Sequence, residues 1–199
     1  MSPEGKMRSS GARSRVRRAD AEHNRAALLS AARRLFDERG PDAPLDEIAR
    51  RAGVANATLY RHFASRAELI LAVYSSEVTE LAGLADRLLE APDPDRALTD
   101  WLRAFVSHVS TKRELALALP DGPDDQRGAL FADWHATMGT AAERLLERAR
   151  AMGTVRSGVE AGDLLALATG IATTRLSDDR LDAVLAIVRS GYIADGPAH

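Results

Sequence analysis

The stretch LDEIARRAGVANATLYRHF, residues 45–63, decides the fold. Leu45, Ile48 and Ala49 share one face of a short helix from about Leu45 to Ala52, because residues three and four apart lie together on a helix surface. Gly53 ends that pattern, and a second short helix from about Asn56 to His62 follows, anchored by Val54 and Leu59. Two short helices around a glycine turn make a helix-turn-helix, in which the first braces and the second presents its N-terminal residues outward. The outward residues here are Asn56, Ala57, Tyr60 and Arg61. Asn pairs with adenine and Arg with guanine in the major groove, while Thr, Tyr and His donors commonly hold phosphates. The chemistry suits double-stranded DNA. Asn56 has a second possible use as N-cap of its own helix, since Asn is a favoured cap and Ala55 offers no side-chain acceptor.

Upstream, Ala27, Leu28, Ala31, Ala32, Leu35 and Phe36 recur at helical spacing between Asp20 and Arg39, and Gly40-Pro41 stops the run. Residues 20–64 therefore form a trihelical unit. Ahead of it, residues 1–19 carry Lys6, Arg8, Arg13, Arg15, Arg17 and Arg18 with too little apolar area to fold alone. They read as a disordered basic arm, either a solvated tail or a segment that follows phosphates or enters the minor groove.

Downstream, Ser65 and Glu68 have the spacing of a capping box, which opens a long helix to about Glu90 with Leu69, Val73, Leu81, Leu84 and Leu88 inward. No flexible linker separates this helix from the trihelical unit, so motion is expected to pass through the junction. Pro92 and Pro94 break the chain before a helix marked by Trp101, Phe105 and Val109. A second break, PDGPDD, begins at Pro120, and its acidic run Asp121–Asp125 reads as a solvated loop lacking the ligand alternation of a calcium loop. Leu130, Trp134, Met138, Ala141, Leu145 and Ala149 hold helical phase between Gln126 and Met152. Asp163 opens LLALATGIA, apolar nearly all round, and Leu181, Val184, Leu185 and Val188 stripe a final amphipathic helix. A helix apolar on every side must be covered on every side, either by its own domain or by a second subunit. The fold class is all-α, with no strand pattern or internal repeat.

The formal net charge of −2 conceals a segregation: up to Arg66 the chain has 14 Lys/Arg against 8 Asp/Glu, and beyond it 13 against 21. A basic segment on an acidic body is the pattern of a polyanion-binding module. There is no cysteine, hence no disulfide or thiolate metal site. No apolar run is long enough to span a bilayer and no h-region follows the N-terminal charges, so the expected location is the cytoplasm. No phosphate loop, nucleophile elbow or HExxH motif occurs, which argues against an enzyme, and no cofactor is indicated.

The segment IARRAGVANATLYRHFASRAELI, residues 48–70, resembles the DNA-binding signature of TetR-family regulators, and the likeness extends from about Asn24 to Tyr74. The family's pattern often has Thr where Pro44 stands and Ser where Ala55 stands. The resemblance implies base contacts from Asn56, Ala57 and Arg61, and phosphate contacts from Thr58, Tyr60, His62 and Arg66. It also implies a ligand-binding and dimerisation domain over residues 65–199, a homodimer through the C-terminal helices, a palindromic operator and a small-molecule effector that releases a repressor. Within that domain Trp101, Phe105 and His108 share one helix side, and Phe131, Trp134, His135 and Met138 cluster on another. These are the candidate cavity lining, with plain core as the alternative. His108 and His135 on separate helices, without Cys or an acidic spacing motif, make a poor metal site. A constitutive DNA-binding protein without a ligand is the other functional reading.

Overall fold

The structure, a computed structural model, describes residues 4–117, 126–174 and 176–193. The helices are α1 (Glu4–Arg39), α2 (Leu45–Arg51), α3 (Asn56–His62), α4 (Arg66–Leu88), α5 (Pro94–Leu117), α6 (Gln126–Ala151), α7 (Ala161–Ala172) and α8 (Asp178–Tyr192). Among the described residues the one extended feature is an antiparallel bridge between Val155 and Ile193. The acidic run expected as a loop at Asp121–Asp125 lies outside the described residues.

The chain divides into two compact units, Met1–Val73 and Tyr74–His199, with the division inside α4. In the first unit Leu28, Leu35 and Ile48 are completely buried, joined by Ala32, Phe36, Ala49, Leu59, Phe63, Leu69, Ile70 and Val73. One apolar stripe from each helix thus meets in a single small core. Gly40, at φ 76°, closes α1 by donating its N–H to Phe36 O at 2.8 Å. Outside the core, the Arg51 guanidinium bridges Glu38 of α1 at 2.8 Å and Glu47 of its own helix at 3.0 Å. The Arg25 guanidinium lies over the Phe63 ring, 5.5 Å from its centroid.

Residues 4–19 differ from the expected disordered arm: α1 is continuous helix from Glu4. The physical reason is that extending a helix already nucleated by a packed segment adds one hydrogen bond per residue fixed and needs no new nucleus. Ala, Arg, Lys, Met and Glu, which fill much of this run, are all good helix formers.

In the second unit Trp101 is fully buried and its indole N–H donates to Leu81 O at 3.0 Å. Leu98, Leu102, Leu145, Leu146 and Ala149 surround the core, and Leu164, Ala168, Leu181 and Leu185 bring α7 and α8 to it. Two polar clamps tie α5 to α8. Arg103 pairs with Asp182 at 2.5 Å and Asp178 at 3.2 Å, and Arg189 Nε donates to Asp95 Oδ2 at 2.7 Å. The Tyr192 hydroxyl meets Thr99 Oγ1 and donates to Asp95 O at 3.2 Å. Burial is the main reason its phenol is pushed up to about 12.

Candidate functional site

The turn that sets α3 against α2 centres on Gly53 and Val54. Gly53 sits at φ 70°, a left-handed conformation that side-chain-bearing residues avoid. Its N–H donates to Arg50 O at 3.1 Å, and the next N–H, from Val54, reaches back to Ala49 O at 3.0 Å. That pair of bonds is a Schellman closure, which satisfies the last carbonyls of α2 while turning the chain sharply. α3 then starts with Ala55 as its N-cap, without a side-chain cap bond, and Asn56 as its first helical residue. Asn56 is therefore not the cap; it is exposed.

α3 buries one side and shows the other. Leu59 is 1% exposed, while the neighbouring Tyr60 ring is 55% exposed. Asn56, Ala57 and Arg61 are exposed with it, and Thr58 and His62 are half-buried. Arg61 folds along its own helix, Nη2 donating to Thr58 Oγ1 at 2.8 Å and Nε to Ala57 O at 3.2 Å. Both bonds are at the surface, where exchange for another acceptor costs little. Arg66 occupies a different position from these: its Nη1 donates to Pro41 O at 2.7 Å and Ala43 O at 2.6 Å, so it braces the loop before α2. That brace was not legible beforehand, because the acceptors are backbone carbonyls more than twenty positions away in the chain. At the start of α4 the Glu68 N–H bonds to Ser65 Oγ at 3.1 Å, while the Glu68 carboxylate accepts from Ala64 N–H at 2.7 Å, one residue earlier than a standard capping box requires.

The second unit contains a cavity of about 700 Å³, within the range of small-molecule sites. Phe105, His108, Trp134, His135 and Met138 line it, together with Tyr74, Val78, Val109, Leu165, Ala166, Thr169 and Thr173. Two of the residues expected there stand elsewhere. Trp101 is core, held by its bond to Leu81, and Phe131 sets its ring edge-on to Tyr74 at 5.5 Å and to Trp134 at 5.1 Å. Tyr74 stacks on Trp134 with centroids 4.2 Å apart. The His108 Nδ1 lies 3.2 Å from Glu77 Oε2, both side chains being buried. Burial pushes the Tyr74 phenol up, and the Glu77 charge adds to it. His135 Nδ1 lies 2.6 Å from Phe131 O of its own helix. Among the described residues no group of three or more His, Asp or Glu is placed to hold a metal ion, and no helix is long and apolar enough to cross a membrane.

Sequence reasoning missed Tyr74, Leu165, Thr169 and Thr173 as lining. Their helices were legible, but which residues of α4 and α7 face α5 and α6 across a hole is tertiary information.

Residues 28–73 match the family described as bacterial regulatory proteins of the TetR family, and residues 93–193 match the C-terminal domain of SbtR-like transcriptional regulators. A crystal structure of a TetR transcriptional regulator from Streptomyces coelicolor is similar with a TM-score of 0.74 and 33% identity, covering 86% of this chain and 99% of that one. The HTH-type transcriptional activator FasR of Mycolicibacterium smegmatis is 37% identical over 107 residues, 53% of this chain and 49% of the relative. An HTH-type transcriptional repressor of Mycobacterium tuberculosis is 28% identical over 145 residues, 68% of this chain and 71% of the relative. The chain thus spans about half the length of the activator it matches.

Proposed function

We propose that this chain, which belongs to the TetR family of bacterial transcriptional regulators, is a cytoplasmic repressor that binds a palindromic operator as a homodimer and is released by a small-molecule effector. The observation that carries the reading is the two-sided α3, whose Leu59 is buried while Tyr60 stands 55% exposed beside Asn56, Ala57 and Arg61. On this reading Asn56, Ala57 and Arg61 meet base edges, and Thr58, Tyr60 and His62 hold phosphates. Arg66 acts as the brace that keeps the α1–α2 loop in place, with any phosphate contact secondary to that.

Support for a dimer comes from apolar surface left uncovered on α7 and α8. Leu167 is 54% exposed and Ile187 70% exposed, while Ala166 and Gly170 are also exposed. Isologous contact between two such faces gives a two-fold dimer. That symmetry would present two α3 helices to major grooves about one turn, or a multiple, apart.

The cavity favours a sensor over a constitutive DNA-binding protein. α4 gives Leu69, Ile70 and Val73 to the first unit's core and Tyr74 and Val78 to the cavity wall. A ligand that displaces Tyr74 therefore acts on the same helix that the DNA-reading unit packs against. Relatives include both an activator and a repressor; repression is our reading because a change in α3 separation breaks several DNA contacts together.

The test is an anisotropy titration of the purified protein against DNA flanking its own coding region, at several salt concentrations. Binding is expected to fall with salt by a slope of about −0.9 per phosphate contact. Removing residues 1–18 is expected to flatten that slope without changing sequence preference. Ligands found to perturb Trp134 fluorescence are expected to release the DNA. Salt-independent binding, or ligand occupancy that leaves DNA affinity constant, would contradict the reading.

A further inference from the structure

Resting on the reading of α3 as the base-reading helix, we infer that Thr58 is a positioning residue, whose hydroxyl holds the Arg61 guanidinium in the plane from which it reads guanine. Arg61 Nη2 donates to Thr58 Oγ1 at 2.8 Å, and Arg61 Nε donates to Ala57 O at 3.2 Å. A guanidinium is a rigid planar fork of five N–H donors, so bonds from two of its nitrogens fix its plane as well as its position. Each bond is weak on its own at the surface. Together they remove most of the rotamers that an exposed arginine would otherwise sample, and that ordering is complete before DNA arrives.

This arrangement leaves a particular edge for DNA. With Nε and Nη2 turned inward, the outer edge of the fork presents the remaining Nη2 proton beside those of Nη1. Two parallel donors on that edge match the O6 and N7 acceptors of guanine. The inner acceptors stand three and four residues back in the chain, so the guanidinium is drawn toward the first turn of α3. That turn is the part of a recognition helix that meets base edges. Of the two acceptors one is a backbone carbonyl, so Thr58 is the side chain through which the sequence sets the orientation. Thr58 is half-buried and Arg61 exposed, as suits a support and the group it carries. A hydroxyl that accepts from Arg61 still has its own proton to give, so the bond is compatible with a phosphate contact from the same residue.

Competition titrations of the full-length protein test this with two duplexes of the DNA flanking its coding region. One is natural, and the other carries 7-deazaguanine in place of the guanine whose N7 protection Arg61→Ala loses. That base keeps O6 and its pairing but lacks the N7 acceptor. The parent protein is expected to prefer the natural duplex about tenfold. Thr58→Val, which keeps the shape and removes the hydroxyl, is expected to reduce the preference to about twofold, and Thr58→Ser to restore it. Thr58→Ala is expected to act as Thr58→Val does, and because Ala is the better helix former, this separates the effect from any loss of folding. In an Arg61→Ala background, Thr58→Val is expected to change the preference no further. Thr58 variants that weaken both duplexes by the same factor, or a preference that survives loss of the hydroxyl, or a serine variant that fails to restore it, would overturn the positioning role and leave α3 in the groove. If no guanine depends on Arg61 for its protection, the reading of α3 falls and the proposal falls with it.

Discussion

Glu47 receives two guanidinium groups at once: Arg50 at 2.6 Å and Arg51 at 3.0 Å, with Arg51 extending the chain of charges to Glu38. The hydrogen bonds from Arg50 and then Arg51 hold its carboxyl down at about 2, below its ordinary 4.5. A carboxylate with a depressed folded value stabilises the fold fully above its ordinary value, and that contribution is lost as pH falls from there toward about 2. Melting followed by circular dichroism is therefore expected to weaken over this acid window in the parent protein, and to weaken less in Glu47→Gln. Both groups are at the surface, so added salt is expected to shrink the difference. An acid limb identical in the variant would remove Glu47 from the account. Arg66 makes a contrasting point at the same scale: the family resemblance implies a phosphate contact for it, while its Nη1 is engaged by the Pro41 and Ala43 carbonyls.

At the scale of elements, Gly53 sets the turn between α2 and α3 with its φ of 70°. A Cβ built there would meet nothing within 4 Å, so the cost of Gly53→Ala is the left-handed backbone alone, about 1–2 kcal/mol. A lower melting temperature with little change in Gly53→Asn is the expected outcome of a thermal scan, because Asn tolerates this conformation better. Equal stability of the alanine variant would mean the turn is not held as described. The bounds of α2 and α3 were legible in the sequence because a glycine stop and three- and four-residue apolar spacing coincide there. The N-terminal half of α1 was not legible: without an apolar stripe, residues 4–19 carry no periodic signal, and their helicity comes from propagation of the packed half. On α5 and α6 the cavity was half legible. Spacing put Trp101, Phe105 and His108 on one side, but it could not tell which of them faces a neighbour and which a hole. Trp101 faces Leu81, and Phe105 and His108 face the cavity.

Over the whole molecule the charges are segregated, with 14 Lys/Arg against 8 Asp/Glu up to Arg66 and 13 against 21 beyond it. Such a distribution attracts a polyanion to one part of the chain and repels it from the other, which orients an encounter before any base is read. Orientation matters doubly for a two-fold dimer, whose two reading helices must reach their grooves together. The central claim is that α3 lies in the major groove, where guanine N7 is the atom an arginine reads. Methylation protection at guanine N7 on the bound flanking DNA tests it most directly. The account predicts two protected clusters centred about 34 Å apart or a multiple of that, with protection weakened throughout in Tyr60→Ala and lost at particular guanines in Arg61→Ala. Bound DNA whose N7 positions stay fully reactive, or whose protection is the same in both variants, would contradict it.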